Sequence, residues 1–176
     1  LFSLMQQDVF LFEENIHFNI SLGAAQISDE AVVDAAQYVY AHDFILGLPG
    51  QYQFELKKSG SNMSAGQAQL ISFARAVAQG GQVMMLDEAT SSVDSITENL
   101  IQKAIARLFA EKTVIAIAHR LSTIRHSDQI LVLNQGKIVE QGRHEDLLAM
   151  NGVYSSLLTD DDNIEDDEGA LLPEPA

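Results

Sequence analysis

Two apolar runs with a helix-length amphipathic stretch between them constrain this chain more than any other feature. Val83–Leu86 (VMML) has no polar interruption, and Thr113–Ala118 (TVIAIA) has none after its threonine. From about Ser95 to Ala110, apolar residues fall at Leu100, Ile101, Ala104, Ile105 and Leu108, the spacing of a helix with one buried stripe. A strand that is apolar at every position is expected to be covered on both faces, and such strands joined through a helix belong to a parallel sheet. The expected class is α/β with a parallel core.

The remaining pattern extends this. LFSLM, followed by Gln6-Gln7-Asp8, reads as a strand running into a polar turn. Ser28-Asp29-Glu30 caps a helix with acids in its first turn and Val32, Val33, Ala36, Val39 and Tyr40 on one face. Gly47 to Gly60, with Pro49-Gly50, reads as loop. SGSNMSAGQ is rich in small residues and leads into a helix with Leu70, Phe73, Ala74 and Val77 as its apolar positions. Beyond His119 come a short helix around Leu121 to Arg125 and strands at Gln129–Leu133 and Lys137–Glu140. Asn134-Gln135-Gly136 ties those strands into a hairpin, and short helices near Glu145–Met150 and Val153–Leu158 close the pattern.

Charge and composition exclude several functions. Eight of the acids lie from Asp160 onward with no basic residue among them, and removing those eight from the net charge of −15 leaves −7. The segment 159–176, with Pro173 and Pro175, reads as a solvated acidic tail. No basic stripe is present to neutralise phosphates, so nucleic acid is not an expected partner. Cysteine is absent, which removes disulfides and thiolate metal sites. No apolar run approaches the roughly 18 residues of a membrane span. The chain opens on Leu1 in mid-pattern and reads as part of something longer.

In open α/β sheets, ligands bind beyond the carboxyl ends of the strands. Asp87 and Glu88 stand at such an end, where hard oxygen ligands suit a Mg-nucleotide: Asp87 for the metal, Glu88 as general base on the attacking water. A bare apolar-Asp-Glu string more often just caps a turn, so its context decides. Upstream, Ser64, Gly66 and the backbone amides at a helix start can hold an anion, aided by the helix dipole.

With both segments in view, the chain resembles the ATP-binding cassette of ABC transporters. Ser61-Asn62-Met63-Ser64-Ala65-Gly66-Gln67 resembles the signature motif, VMMLDE the Walker B strand, and Ser91-Ser92-Val93-Asp94 the D-loop. Gln7 in QQDVFLF matches the Q-loop glutamine, and His119 in AIAHRLSTIRHSDQ the switch histidine. The wording is closest to exporters of the multidrug and lipid-flippase kind. The resemblance implies a P-loop NTPase-like (RecA-like) parallel sheet core, incomplete here, with a helical signature subdomain. It places that subdomain at about 12–78 and the catalytic core part at 79–158.

It also implies ATP and Mg2+ as ligands. Asp87 and Gln7 would serve the metal, and Glu88, His119 and Gln7 catalysis. Ser64, Ala65, Gly66, Gln67 and Asp94 would face the ATP bound by an opposing subunit. Glu55 falls where exporters keep a glutamate that touches the membrane domain. Implied partners are a transmembrane domain and a second nucleotide-binding domain, at the cytoplasmic face of the plasma (inner) membrane. Arg75, within the helix behind the signature, takes a packing or ion-pair role. His17, His42, His126 and His144 have no such context.

Departures from the pattern are Met63 for Leu, Ala65 for a frequent Gly, Ala68 for Arg or Lys, and Lys58 for Glu. If position 65 needs positive φ, its Cβ costs roughly 1–2 kcal/mol. The largest departure is that no G-x-x-x-x-G-K-[ST] phosphate loop occurs in the chain: Gly136-Lys137 is followed by Ile138 and lies in a hairpin. Two expectations follow. The chain is the rear part of an ATPase whose phosphate cradle precedes Leu1, or a non-catalytic half-site that presents only Ser64–Gln67 to a partner's nucleotide. A soluble DNA-repair or translation-factor ATPase fits the exporter-like wording less well.

Overall fold

In a computed structural model of the chain, the described residues are 2–6, 9–87, 94–117 and 124–158. The chain divides into two compact units, Leu1–Ile117 and Ala118–Ala176.

The first unit is built on three parallel strands, β1 (Phe2–Met5), β2 (Val83–Asp87) and β3 (Thr113–Ile117), with β2 in the centre. Between β1 and β2 run four helices: α1 (Ile16–Ser21), α2 (Asp29–Tyr38), α3 (His42–Leu46) and α4 (Ala65–Ala78). α5 (Ser95–Glu111) leads into β3. Strand alternation sorts the sheet residues into two sets. Ser3, Met5, Met84 and Leu86 are buried, and the apolar members share one core with Leu70, Phe73 and Ala74 of α4 and Ile101, Ala104, Ile105 and Leu108 of α5. On the opposite face Phe2, Leu4, Met85, Ile115 and Ile117 are exposed. The expectation of strands covered on both faces is therefore met on one face only. The reason is that the amphipathic helices of this unit join a single core, on one side of the sheet.

Local chemistry sets the helix ends. The Ser28 hydroxyl accepts from the Ala31 amide at 3.2 Å and opens α2 as its position predicts. Tyr40, expected on the buried face of that helix, instead lies beyond its end with φ 62° and is exposed. α1 and α3 were not visible in the pattern, since six and five residues are too few to show a period. α1 is fixed by Asn15, whose Oδ1 accepts from the Phe18 amide at 2.7 Å. The stretch read as loop before α4 holds two short 3-10 turns, Gln51–Gln53 and Lys58–Gly60, and an antiparallel bridge from Asn15 to Glu55.

The second unit contains the expected hairpin, β4 (Ile130–Asn134) and β5 (Lys137–Gly142). Gln135 and Gly136 both have positive φ, as a tight hairpin turn requires. α6 (His144–Met150) and a helical stretch over 153–158 follow. Ile130, Val132, Leu147 and Tyr154 form its core. Glu140 caps the last stretch by accepting from the amides of Val153 and Tyr154, and Tyr154 shares a 2.7 Å hydrogen bond with His144 Nδ1.

Candidate functional site

The start of α4 is a capping box. Ser64 is the N-cap in extended conformation; its Oγ accepts from the Gln67 amide, and Gln67 Oε1 accepts from the Ser64 amide, both at 3.1 Å. Because the helix occupies an acceptor site of the Ser64 hydroxyl, its proton remains available for donation to an anion. Ser64 and Ala65 are exposed, Gly66 is buried as the second helical residue, and Gln67 is partly buried. Ala65 is the first helical residue and is not among those with positive φ, so its Cβ brings no backbone penalty. Met63 packs at the edge of the core.

Asn62 builds the approach to this helix. Its Oδ1 accepts from the Lys57 amide at 2.9 Å, and its Nδ2 donates to the Glu55 carbonyl at 3.1 Å. One side chain therefore closes the loop from Glu55 to the helix start. Glu55 itself is exposed and bridged through its backbone to Asn15. The sequence signal for Asn62 is an amide two residues before an N-cap serine.

Asp87 ends the central strand, paired with Ile117 of β3 and on the same side of the pleat as Met85. It is partly exposed, at the carboxyl end where α/β sheets bind ligands. Among the described residues no cluster of three or more His, Cys, Asp or Glu side chains could hold a metal ion by itself. A lone carboxylate still fits Mg2+ that accompanies a nucleotide, because phosphates and water fill most of that ion's shell. Asp94 is the N-cap of α5 and accepts from the Thr97 amide at 3.0 Å. The Thr97 amide and hydroxyl hold the Asp94 carboxyl below its ordinary range.

Ser64, Ala65, Gly66 and Gln67 thus come together on one helix start, while Asp87 and Asp94 stand at a strand end and a second helix start. No hydrogen bond or ion pair among the described residues joins the two groups. Gln7, Glu88 and His119, together with Ser91–Val93, lie outside the described residues. In the second unit an open cleft of about 760 Å³ is lined by Arg125, His126, Asp128, Arg143, Glu145 and Asp146 among others. It contains none of the residues singled out for chemistry.

The sequence profile described as ABC transporter matches residues 2–91, just over half of the chain. The chain belongs to the ABC transporter family.

Among its relatives in that family, the uncharacterized ABC transporter ATP-binding protein YknV of Bacillus subtilis (strain 168) is 47% identical over 156 residues. That match covers 89% of this chain and 26% of YknV. A putative multidrug export ATP-binding/permease protein of Staphylococcus aureus (strain NCTC 8325 / PS 47) is 44% identical over 154 residues, covering 88% of this chain and 27% of that protein. A solved bacterial Atm1-family ABC exporter with ATP bound superposes with a TM-score of 0.80 at 35% identity, covering 99% of this chain and 29% of its own. The fold is thus the P-loop NTPase-like α/β fold of ABC nucleotide-binding domains, with part of its core present. This chain spans about a quarter of the length of the curated ABC relatives it matches.

Proposed function

We propose that this chain is the signature-and-carboxylate part of an ABC exporter's ATP-binding domain, and that the whole protein hydrolyses ATP to drive export across a membrane. Residues 12–78 supply the helical signature subdomain and 79–158 the catalytic part. The observation that carries the reading is Asp87 at the carboxyl end of the central parallel strand, in a chain whose α4 begins with an exposed, capped Ser64. Family membership and the ATP-bound exporter superposition support it.

The roles are those the family resemblance implies, and side-chain chemistry suits them. Ser64 donates its hydroxyl proton, and the amides of Ala65 and Gly66 present the positive end of the α4 dipole, to the γ-phosphate of ATP held by a second nucleotide-binding domain. Gln67 holds Ser64 in place through the capping box. Asp87, with Gln7, serves Mg2+, which when bound neutralises phosphate charge. Glu88 takes a proton from the attacking water, His119 holds the γ-phosphate, and Asp94 shapes the seam between the two domains. The proposed whole transporter includes a phosphate loop and a transmembrane domain; among the described residues no helix is long and apolar enough to cross a membrane. The site of action is the cytoplasmic face of the plasma (inner) membrane.

In the whole transporter, Glu88→Gln is expected to keep ATP affinity and lose phosphate release. Near-normal phosphate release would remove Glu88 as the base. The half-site alternative, in which the chain only completes a partner's nucleotide site, draws on the lack of a G-x-x-x-x-G-K-[ST] run. Calorimetry on these 176 residues alone is expected to register no ATP binding; micromolar affinity would contradict the argument from the missing phosphate cradle.

A further inference from the structure

A polar hub lies inside the helical side of the first unit, centred on Asn19 and Arg75, neither of which has a part in the proposed chemistry. Asn19 of α1 is fully buried, at 0% exposure. Its Nδ2 donates to the carbonyls of Phe12 (3.1 Å), Glu14 (3.3 Å) and Asn15 (3.1 Å). Its Oδ1 accepts from the Phe12 amide at 2.8 Å and from Arg75 Nη2 at 3.1 Å. Arg75, on α4, also donates from Nε to the Asn19 carbonyl at 2.7 Å and from Nη1 to the Phe10 carbonyl at 2.9 Å. Its guanidinium stands 5.7 Å from the centre of the Phe12 ring.

Arg75 has no carboxylate partner among the described residues, so its charge rests on three neutral oxygens drawn from two segments. Simple packing at this position would not require a charge, and burying one without a counter-ion is unfavourable unless its donors are satisfied. Only the planar fork of arginine reaches acceptors in several directions at once; a lysine is a point charge. The segment being held is also specific. Phe10, Leu11 and Phe12 follow Gln7 by three to five residues. Arg75 holds Phe10 and Phe12, while Leu11 fits so closely on Gly60 that a Cβ there would lie 2.9 Å from Leu11 Cδ1. Gly60 is in the loop leading to Ser64, and Arg75 lies eleven residues beyond Ser64 on the same helix, about 16 Å along its axis at 1.5 Å per residue.

We propose that Arg75, oriented by Asn19, is a positioning residue that locks the exit of the Gln7 segment to the signature helix, so that the two move as one body when ATP is enclosed. This rests on the ATPase reading above. Arg75 touches no nucleotide; it acts through the backbone of residues 10–12 and through α4.

The test uses the full-length transporter in lipid, comparing wild type with Arg75→Lys in ATP KM, kcat and melting temperature. KM within twofold of wild type, little change in melting temperature and a tenfold or greater fall in kcat are expected. Unchanged kcat, or activity lost only in proportion to folded protein, overturns the proposal. Hydrogen exchange on wild type with and without ATP, Mg2+ and vanadate gives a second readout that needs no variant. Protection of residues 9–15 and of α4 is expected to change together, and a change in one alone overturns the lock. Glu88→Gln in the same preparation separates the layers. If it stalls hydrolysis while Arg75→Lys turns over normally, only the lock is overturned. If it hydrolyses ATP like wild type, the site assignment is overturned and the lock with it.

Discussion

On one face of the β1–β2–β3 sheet, Met5, Met84 and Leu86 are at most 5% exposed; on the other, Phe2, Leu4, Ile115 and Ile117 are 55–70% exposed. The side chains are of one chemical kind and adjacent in sequence, separated only by the alternation of the strand. What differs is the supply of covering surface. α4 and α5 share one core with the first set, and no described helix covers the second. The open face also carries Asp87, so the candidate metal ligand emerges from an apolar surface.

The largest expected effects bear directly on that contrast. Leu108→Ala empties a fully buried position and is expected to cost about 2–5 kcal/mol in urea denaturation of the chain. Ile115→Ala, at a site 55% exposed, is expected to stay within about 0.5 kcal/mol. Similar costs for the two would break the comparison, because they would mean that the open face is covered in solution. Next in size is Gly81→Ala. A Cβ at Gly81 would fall 2.7 Å from the Ser3 backbone nitrogen and clash with Ser3 Oγ, the group that now accepts from the Gly81 amide. β1 would have to shift on β2, at roughly 1–3 kcal/mol. A neutral result would show that the edge strand is looser than its pairing indicates.

Ser64→Ala is smaller and more informative. Loss of the N-cap acceptor costs about 1 kcal/mol of helix stability. On the proposed reading it also removes the N-cap hydroxyl that meets the anion. A stability loss of that size with unchanged ATP turnover in the whole transporter would leave the cap and remove the phosphate role.

The helical side also marks how far sequence reasoning reached. β2, α5 and β3 were legible because four or more consecutive apolar residues, or a regular three-and-four spacing, leave few alternatives. The start of α4 was legible from the small-residue run SGSNMSAGQ ahead of apolar residues at helical spacing, Leu70, Phe73, Ala74 and Val77. The hub was not. Asn19 sits among apolar neighbours at helical spacing, where a buried amide declares itself only once its five hydrogen bonds, to four residues, are known. Arg75 was expected to pack or to form an ion pair, and it binds carbonyls instead. The one-sided burial of the sheet was illegible for another reason: strand composition reports what a face can bury, while coverage depends on how many helices share the chain.

The smallest effect tests whether the covered side is also held at its rim. Tyr38, at the end of α2, donates to Glu111 Oε2 of α5 at 2.9 Å, and Arg107 stacks 4.0 Å from its ring centre while pairing with Glu111 at 3.2 Å. Burial, and then the hydrogen bond to the Glu111 carboxylate, push the Tyr38 hydroxyl from 10.0 up to about 12. The folded state therefore favours neutral tyrosine. Its contribution is fully present below pH 10, where the unfolded group would titrate, and is lost as pH rises toward about 12. Glu111 is shifted the other way: the Tyr38 hydroxyl and then Arg107 hold its carboxyl below 4.5, so its contribution is present above that value and disappears as pH falls through the lowered one. Tyr38→Phe removes the titrating hydroxyl and the bond together. Melting temperature followed from pH 3 to 12 is expected to lose part of its alkaline decline and to fall less steeply in acid. An alkaline limb identical to wild type would show that the rim contact carries no free energy, leaving the covered face to its apolar core alone.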